Sequence, residues 1–151
     1  MIQTLTVNHR RLSLDTNVII YFLERREPYL SWLEPVLRSI IFGDRQAVIS
    51  VIAEAELRVK PLRDSNVEAL ARIDALLADN SVRVVGVDRE LARRAAAIRA
   101  ELDLELPDAI IVATAIVSGC DALVGNDGTC ARRVTEIPYV YLDKVVKEPA
   151  P

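Results

Sequence analysis

The sequence predicts an α/β fold with a central parallel sheet of about five strands. Three observations carry this. Short runs rich in valine, isoleucine and leucine recur along the chain: "RLSL", "QAVIS", "SVRVVGV", "DALVG" and "YVYL". Segments of helical periodicity separate the first four runs, and strands joined by helical crossovers form parallel sheets covered by helices. No internal repeat, low-complexity block or dividing linker interrupts the pattern, and 151 residues suit one domain with a sizeable core. The expected organisation is an N-terminal arm over 1–10, a domain over 11–143 and a flexible tail over 144–151.

In order, the first strand occupies 11–14 and a short helix 16–23, stopped by the charged "ERREP". Pro28 suits the start of a second helix. There Leu30, Leu33, Leu37, Ile40 and Ile41 repeat at helical spacing, Pro35 introduces a kink and Gly43 ends it. The strand at 46–50 runs directly into helix-like "VIAEAELRV". Asp64 is the expected N-cap of a helix with Val67, Leu70, Ile73, Leu76 and Leu77 as its apolar stripe. A valine-rich strand follows at 81–87. Asp88 then caps the amphipathic "RELARRAAAIRAELDL". Pro107 opens "PDAIIVATAIVSG", which is apolar nearly all round and so predicted to be buried, with Gly119 as its stop. Strands at 121–125 and 139–142 complete the set.

Composition narrows the chemistry. The chain is 51% hydrophobic and 27% charged, with a net charge of -3. That balance excludes a disordered chain and gives no global attraction to nucleic acid, so a polyanion would need local arginines or bound cations. With a single histidine, His9, and two unpaired cysteines, Cys120 and Cys130, histidine triads and zinc sites are disfavoured. The cysteines are read as core thiols. No signal peptide or membrane span is legible, which makes a cytoplasmic location the simplest.

Four acids stand at or near the ends of predicted strands: Asp15, Glu56, Asp108 and Asp127. In parallel sheets the ligand site lies beyond those ends, at the switch in strand order. Each acid has a plain structural alternative. Asp15 and Asp108 suit helix starts, Asp127 with Gly128 suits a turn, and Glu56 suits a solvated helix face. Yet Asp15, Glu56 and Asp108 sit in strongly apolar sequence. Converging carboxylates repel by roughly 4 kcal/mol at about 4 Å and an effective dielectric near 20. A divalent cation reverses that cost, and an oxygen-rich set suits Mg²⁺ or Mn²⁺.

These segments together, "LDTNVIIYFLE", "ISVIAEAELRVKPLR", "LPDAIIVATAI" and "LVGNDGT", resemble the four acidic motifs of PIN-domain ribonucleases, in particular the VapC toxins of toxin–antitoxin pairs. The resemblance spans about residues 11–143 and implies a PIN-like α/β/α sandwich. It implies Mg²⁺- or Mn²⁺-dependent hydrolysis of RNA. Asp15 and Asp108 would be the main metal ligands, Asp127 a direct or water-mediated one, and Glu56 the residue that ligates a second ion or orients water. Glu54 is the neighbour that the pattern passes over. The departure is Gly125, where the family often has threonine, with loss of a hydroxyl.

Asn17 and Asn126 are candidate substrate contacts, with turn and cap roles as the alternative. Arg132 and Arg133, with Arg58, Lys60 and Arg63, are candidate phosphate contacts. The resemblance also implies a cognate antitoxin and a homodimer; Tyr21, Phe22, Tyr29, Trp32 and Leu33 offer apolar surface for such contacts. Two rival readings exist. A haloacid-dehalogenase-type phosphatase would place its nucleophile at Gly125, which has none. A non-catalytic PIN-like binding module is the other.

Overall fold

The computed structural model describes residue 5 and residues 8–148. Most of the predicted arm and the end of the predicted tail, 149–151, lie outside the described residues. Five strands, β1 (Arg11–Leu14), β2 (Gln46–Ser50), β3 (Val82–Val85), β4 (Ala122–Gly125) and β5 (Tyr139–Tyr141), form one sheet in the order β3-β2-β1-β4-β5. Every pairing is parallel.

The predicted fold class is the observed one, with helices flanking the sheet. The three inner strands are buried over most of their length, which explains their Leu-, Val- and Ile-rich sequence, although Ser13 and Ser50 are buried among these residues. The outer strands β3 and β5 are only partly covered.

Helices α1 (Thr16–Leu23), α2 (Tyr29–Ile41), α3 (Val51–Arg63), α4 (Val67–Leu77), α5 (Arg89–Leu102) and α6 (Leu106–Val117) follow the predicted segments. Gly43 and Gly119 end α2 and α6 at positive φ, +86° and +67°, as a helix stop requires. In α6, Ala109 and the run from Ile111 through Ala115 are buried. This helix packs on α5 and on the inner strands.

Two expectations are corrected. Asp64 does not cap α4: α3 continues through Pro61 to Arg63, Asp64 is its C-cap, and Ser65 turns the chain at φ +52°. The cap of α4 is Asn66, whose side chain accepts from Ala69 N–H at 3.1 Å. The "GTCARR" segment after β4 is a short helix, α7 (Gly128–Arg133), not only a turn. Residues 144 and 145 belong to α8 (Leu142–Val145), and Val145 is buried.

The topology fixes one position on the sheet. From β1 the chain moves outward through β2 to β3, then returns to the other side of β1 for β4 and β5. The switch point is therefore the β1–β4 pair. Its last register partners are Leu14 and Val124, and Asp15 N–H donates to Val124 O at 3.0 Å. The residues that follow β1 and β4 emerge side by side where such sheets hold ligands.

Candidate functional site

Local structure explains how each acid is held. Asp15 ends β1 and caps α1, its Oδ1 accepting from Thr16 N–H at 2.7 Å. Ser50 caps α3 through Ile52 N–H. Glu56 lies on that helix and accepts from Thr16 Oγ1 at 2.9 Å, which ties it to the residue after Asp15. Asp108 stands in the first turn of α6, just after Pro107. Asp127 caps α7, its Oδ1 accepting from Cys130 N–H at 2.8 Å. The helix-start roles expected of Asp15 and Asp108 are therefore real, and Asp127, expected in a turn, is a helix cap too.

The four acids converge. Asp15 is only 8% exposed. Burial pushes its carboxyl up from 3.8 to about 6; the Thr16 hydrogen bond opposes this, and the charges of Asp108, Glu56 and Asp127 add to it. Asp108 also rises to about 6, through burial first and then through Asp127, Glu105 and Glu56. Among the described residues, no Lys or Arg forms an ion pair with any of the four.

A crowd of carboxylates with no cationic side chain is the state that a divalent cation relieves, and hard oxygen donors suit Mg²⁺ or Mn²⁺. One ligand atom each from Asp108, Asp127 and Cys130 lies within 4.8 Å of the others. The sulfur is a poor donor there. A soft sulfur suits neither Mg²⁺ nor Mn²⁺, which prefer carboxylate, carbonyl and water oxygens. The oxygens are the donors that fit.

The remaining candidates divide. Asn17 is exposed at the start of α1. Asn126 is engaged within the chain: its Nδ2 donates to Tyr21 Oη at 3.1 Å and Tyr29 Oη at 3.5 Å, and its Oδ1 accepts from Asp143 N–H at 2.8 Å. Tyr29 in turn donates to Asp143 Oδ1 at 2.5 Å and stacks on Tyr21, with ring centroids 4.2 Å apart. Those two rings brace the loop after β4.

Arg132 is exposed and folds back toward the start of α7, where a Cβ on Gly128 would stand 3.3 Å from its Nη1. Arg133 is turned to the α5–α6 link and donates to Asp103 O at 2.7 Å. Arg58 bridges Glu54 at 2.9 Å and Asp74 at 2.6 Å, so it is a tie between α3 and α4. Of the proposed docking surface, Leu33 is wholly buried in the core, while Tyr21, Phe22, Tyr29 and Trp32 are partly buried against it.

Two contributors escaped sequence reasoning, Thr16 and Tyr139. The Tyr139 hydroxyl accepts from Asp127 N–H at 3.0 Å. A groove of about 170 Å³ opens beside Glu56 between α1, α3 and α4, with Lys60 and Arg72 among its lining. No helix among the described residues is long and apolar enough to cross a membrane.

Comparison with known proteins follows the same lines. The profile of the PIN domain matches residues 12–136. No curated protein matches the chain significantly. Among solved structures, a toxin–antitoxin complex from Klebsiella pneumoniae is similar at 25% identity and TM-score 0.67, over 86% of this chain and 98% of that one. VapBC2 from Rickettsia felis, bound to a DNA fragment from its promoter, is similar at 19% identity and TM-score 0.66, over 85% and 96%. VapC20 from Mycobacterium tuberculosis, a sarcin–ricin loop cleaving toxin, is similar at 17% identity and TM-score 0.62, over 84% and 98%.

Proposed function

The chain belongs to the PIN-domain family, and on that footing we propose that it is a Mg²⁺- or Mn²⁺-dependent ribonuclease, the toxin of a toxin–antitoxin pair. The observation that carries the reading is the gathering of four carboxylates from four separate segments, with two of them pushed to about 6 and, among the described residues, no cationic side chain paired to any.

Asp15, Asp108 and Asp127 would hold the ion, and Glu56 would hold a second ion or direct water. A bound divalent cation supplies an activated water and stabilises charge on the phosphoryl oxygens. Asp15 and Asp127 are immobilised by the backbone N–H groups they cap, which keeps their other oxygens aimed into the pocket. Thr16 holds the Glu56 carboxylate beside them. Arg132 is the arginine best placed for a phosphate, and the Lys60 and Arg72 side of the groove is a path for the strand. With a net charge of -3, RNA affinity rests on such local contacts and is salt-sensitive.

The likeness to toxin–antitoxin structures supports a cognate antitoxin as protein partner; membership of the PIN-domain family extends the proposal to an antitoxin that covers the acidic site and to a homodimer. The domain itself is taken as 11–143.

The test is cleavage of a structured RNA by the purified protein. Activity should require Mn²⁺ or Mg²⁺, vanish with EDTA, and be lost in Asp15→Asn and Asp108→Asn proteins that still fold. Equal cleavage by the wild type and both variants would refute the assignment. Metal uptake without cleavage would favour the non-catalytic binding module instead.

A further inference from the structure

Gly125 closes β4 at the switch point and is buried. A Cβ placed on it would stand 2.3 Å from Tyr139 Oη, 3.0 Å from Tyr139 Cζ and 3.2 Å from Asp15 Oδ2. No side chain fits at position 125 while the tyrosine is present. The converse matters more: the tyrosine hydroxyl occupies the space a side chain at 125 would fill, beside the Asp15 carboxylate. Sheet register explains the reach. Tyr139 pairs with Leu123 and Tyr141 with Gly125, so the Tyr139 ring leans forward along the sheet toward its carboxyl end.

The hydroxyl is half engaged. It accepts from Asp127 N–H at 3.0 Å, and among the described residues no acceptor takes its own proton. A phenol donates once as well as accepting. A phenol, with an ordinary pKa of about 10, keeps its proton at neutral pH.

We propose that Tyr139 is a positioning residue of the acidic centre. Its hydroxyl stands in for the side chain that Gly125 lacks: it holds the Asp127 backbone and offers a proton to an oxygen in the pocket beside Asp15. The hydroxyl missing from β4 is thus supplied by the neighbouring strand β5. This rests on the metal-centre reading above, and the experiment separates the two.

The experiment measures Mn²⁺ binding by calorimetry and melting of the metal-free protein. Tyr139→Phe keeps the ring and removes the hydroxyl. It should weaken Mn²⁺ binding by roughly ten- to a hundredfold, the usual effect of losing a group that orients metal ligands. Gly125→Thr alone should lower the melting temperature, because its Cβ collides with the tyrosine. Tyr139→Val should bind Mn²⁺ weakly, and the double variant Gly125→Thr/Tyr139→Val should regain most of the lost affinity. That rescue is not expected of a side chain that merely packs.

Wild-type Mn²⁺ affinity in Tyr139→Phe overturns this inference alone. So does a double variant no better than Tyr139→Val. A wild type that takes up no Mn²⁺ overturns the metal centre, and this inference with it.

Discussion

At neutral pH the metal-free protein folds around an ionised Asp15 that burial and three other carboxylates disfavour, and Asp15→Asn tests the size of that penalty. The gap between 3.8 and about 6 corresponds to ~3 kcal/mol of lost stability once the group is charged in both folded and unfolded chains. The sign follows from linkage. The folded state holds the proton more tightly, so this contribution is fully present below 3.8 and is lost as pH rises through about 6. Asparagine is as good an N-cap as aspartate, so the hydrogen bond from Thr16 N–H survives the substitution. The variant should therefore be more stable than wild type near neutral pH by up to ~3 kcal/mol. For a chain of this length that raises the melting temperature by roughly 6–12 °C. Melts followed by circular dichroism in EDTA, from acid to neutral pH, should show the advantage shrinking as the solution is acidified below Asp15's folded pKa. Adding Mn²⁺ should stabilise the wild type and not the variant. Identical neutral melts, or a difference that does not shrink in acid, would refute the argument that Asp15 is held charged against its surroundings.

Two further substitutions separate structural ties from the site. Asn126→Ala leaves Asp143 N–H and the Tyr21 hydroxyl without their partner, while Tyr29 keeps its bond to Asp143; urea denaturation should show a loss of about 1–3 kcal/mol. Arg58→Ala breaks two ion pairs at the α3–α4 contact. It should cost about 0.2–1 kcal/mol in stability and leave the salt dependence of RNA binding unchanged, because Arg58 is tied to acids and not open to phosphate.

The sheet was readable because its inner strands are buried on both faces, which concentrates leucine, valine and isoleucine in them despite buried Ser13 and Ser50. The acid cluster was readable for a related reason: Asp15 and Asp108 interrupt apolar sequence at positions where a buried charge needs compensation. Other features depend on packing between distant segments. Arg58 looks free until α4 brings Asp74 against it. Asn126 looks like a loop residue until Tyr21, Tyr29 and Asp143 surround it. The six residues of α7 and four of α8 are too short for a helical period to register. Asp64 looked like a cap because the apolar stripe of α4 begins just after it, whereas α3 runs through Pro61 to Arg63 and Asp64 is its C-cap. Gly125 did hold a local signal, since an isolated glycine in a strand marks close approach by another group. The identity of that group depends on β5 pairing with β4, which spacing along the chain does not reveal.

The switch in strand order has a temporal consequence. Asp15 and Glu56 leave the ribosome early, but the inner edge of β1 stays bare until β4 has been made, and Asp127 follows β4. A nascent polypeptide that ends before β4 has three of the five strands and most of the helices, yet lacks Asp127 and so has no complete acidic cluster. On the proposed reading, premature termination there yields a fragment without one of the four metal-holding acids, however much of the sheet it has formed.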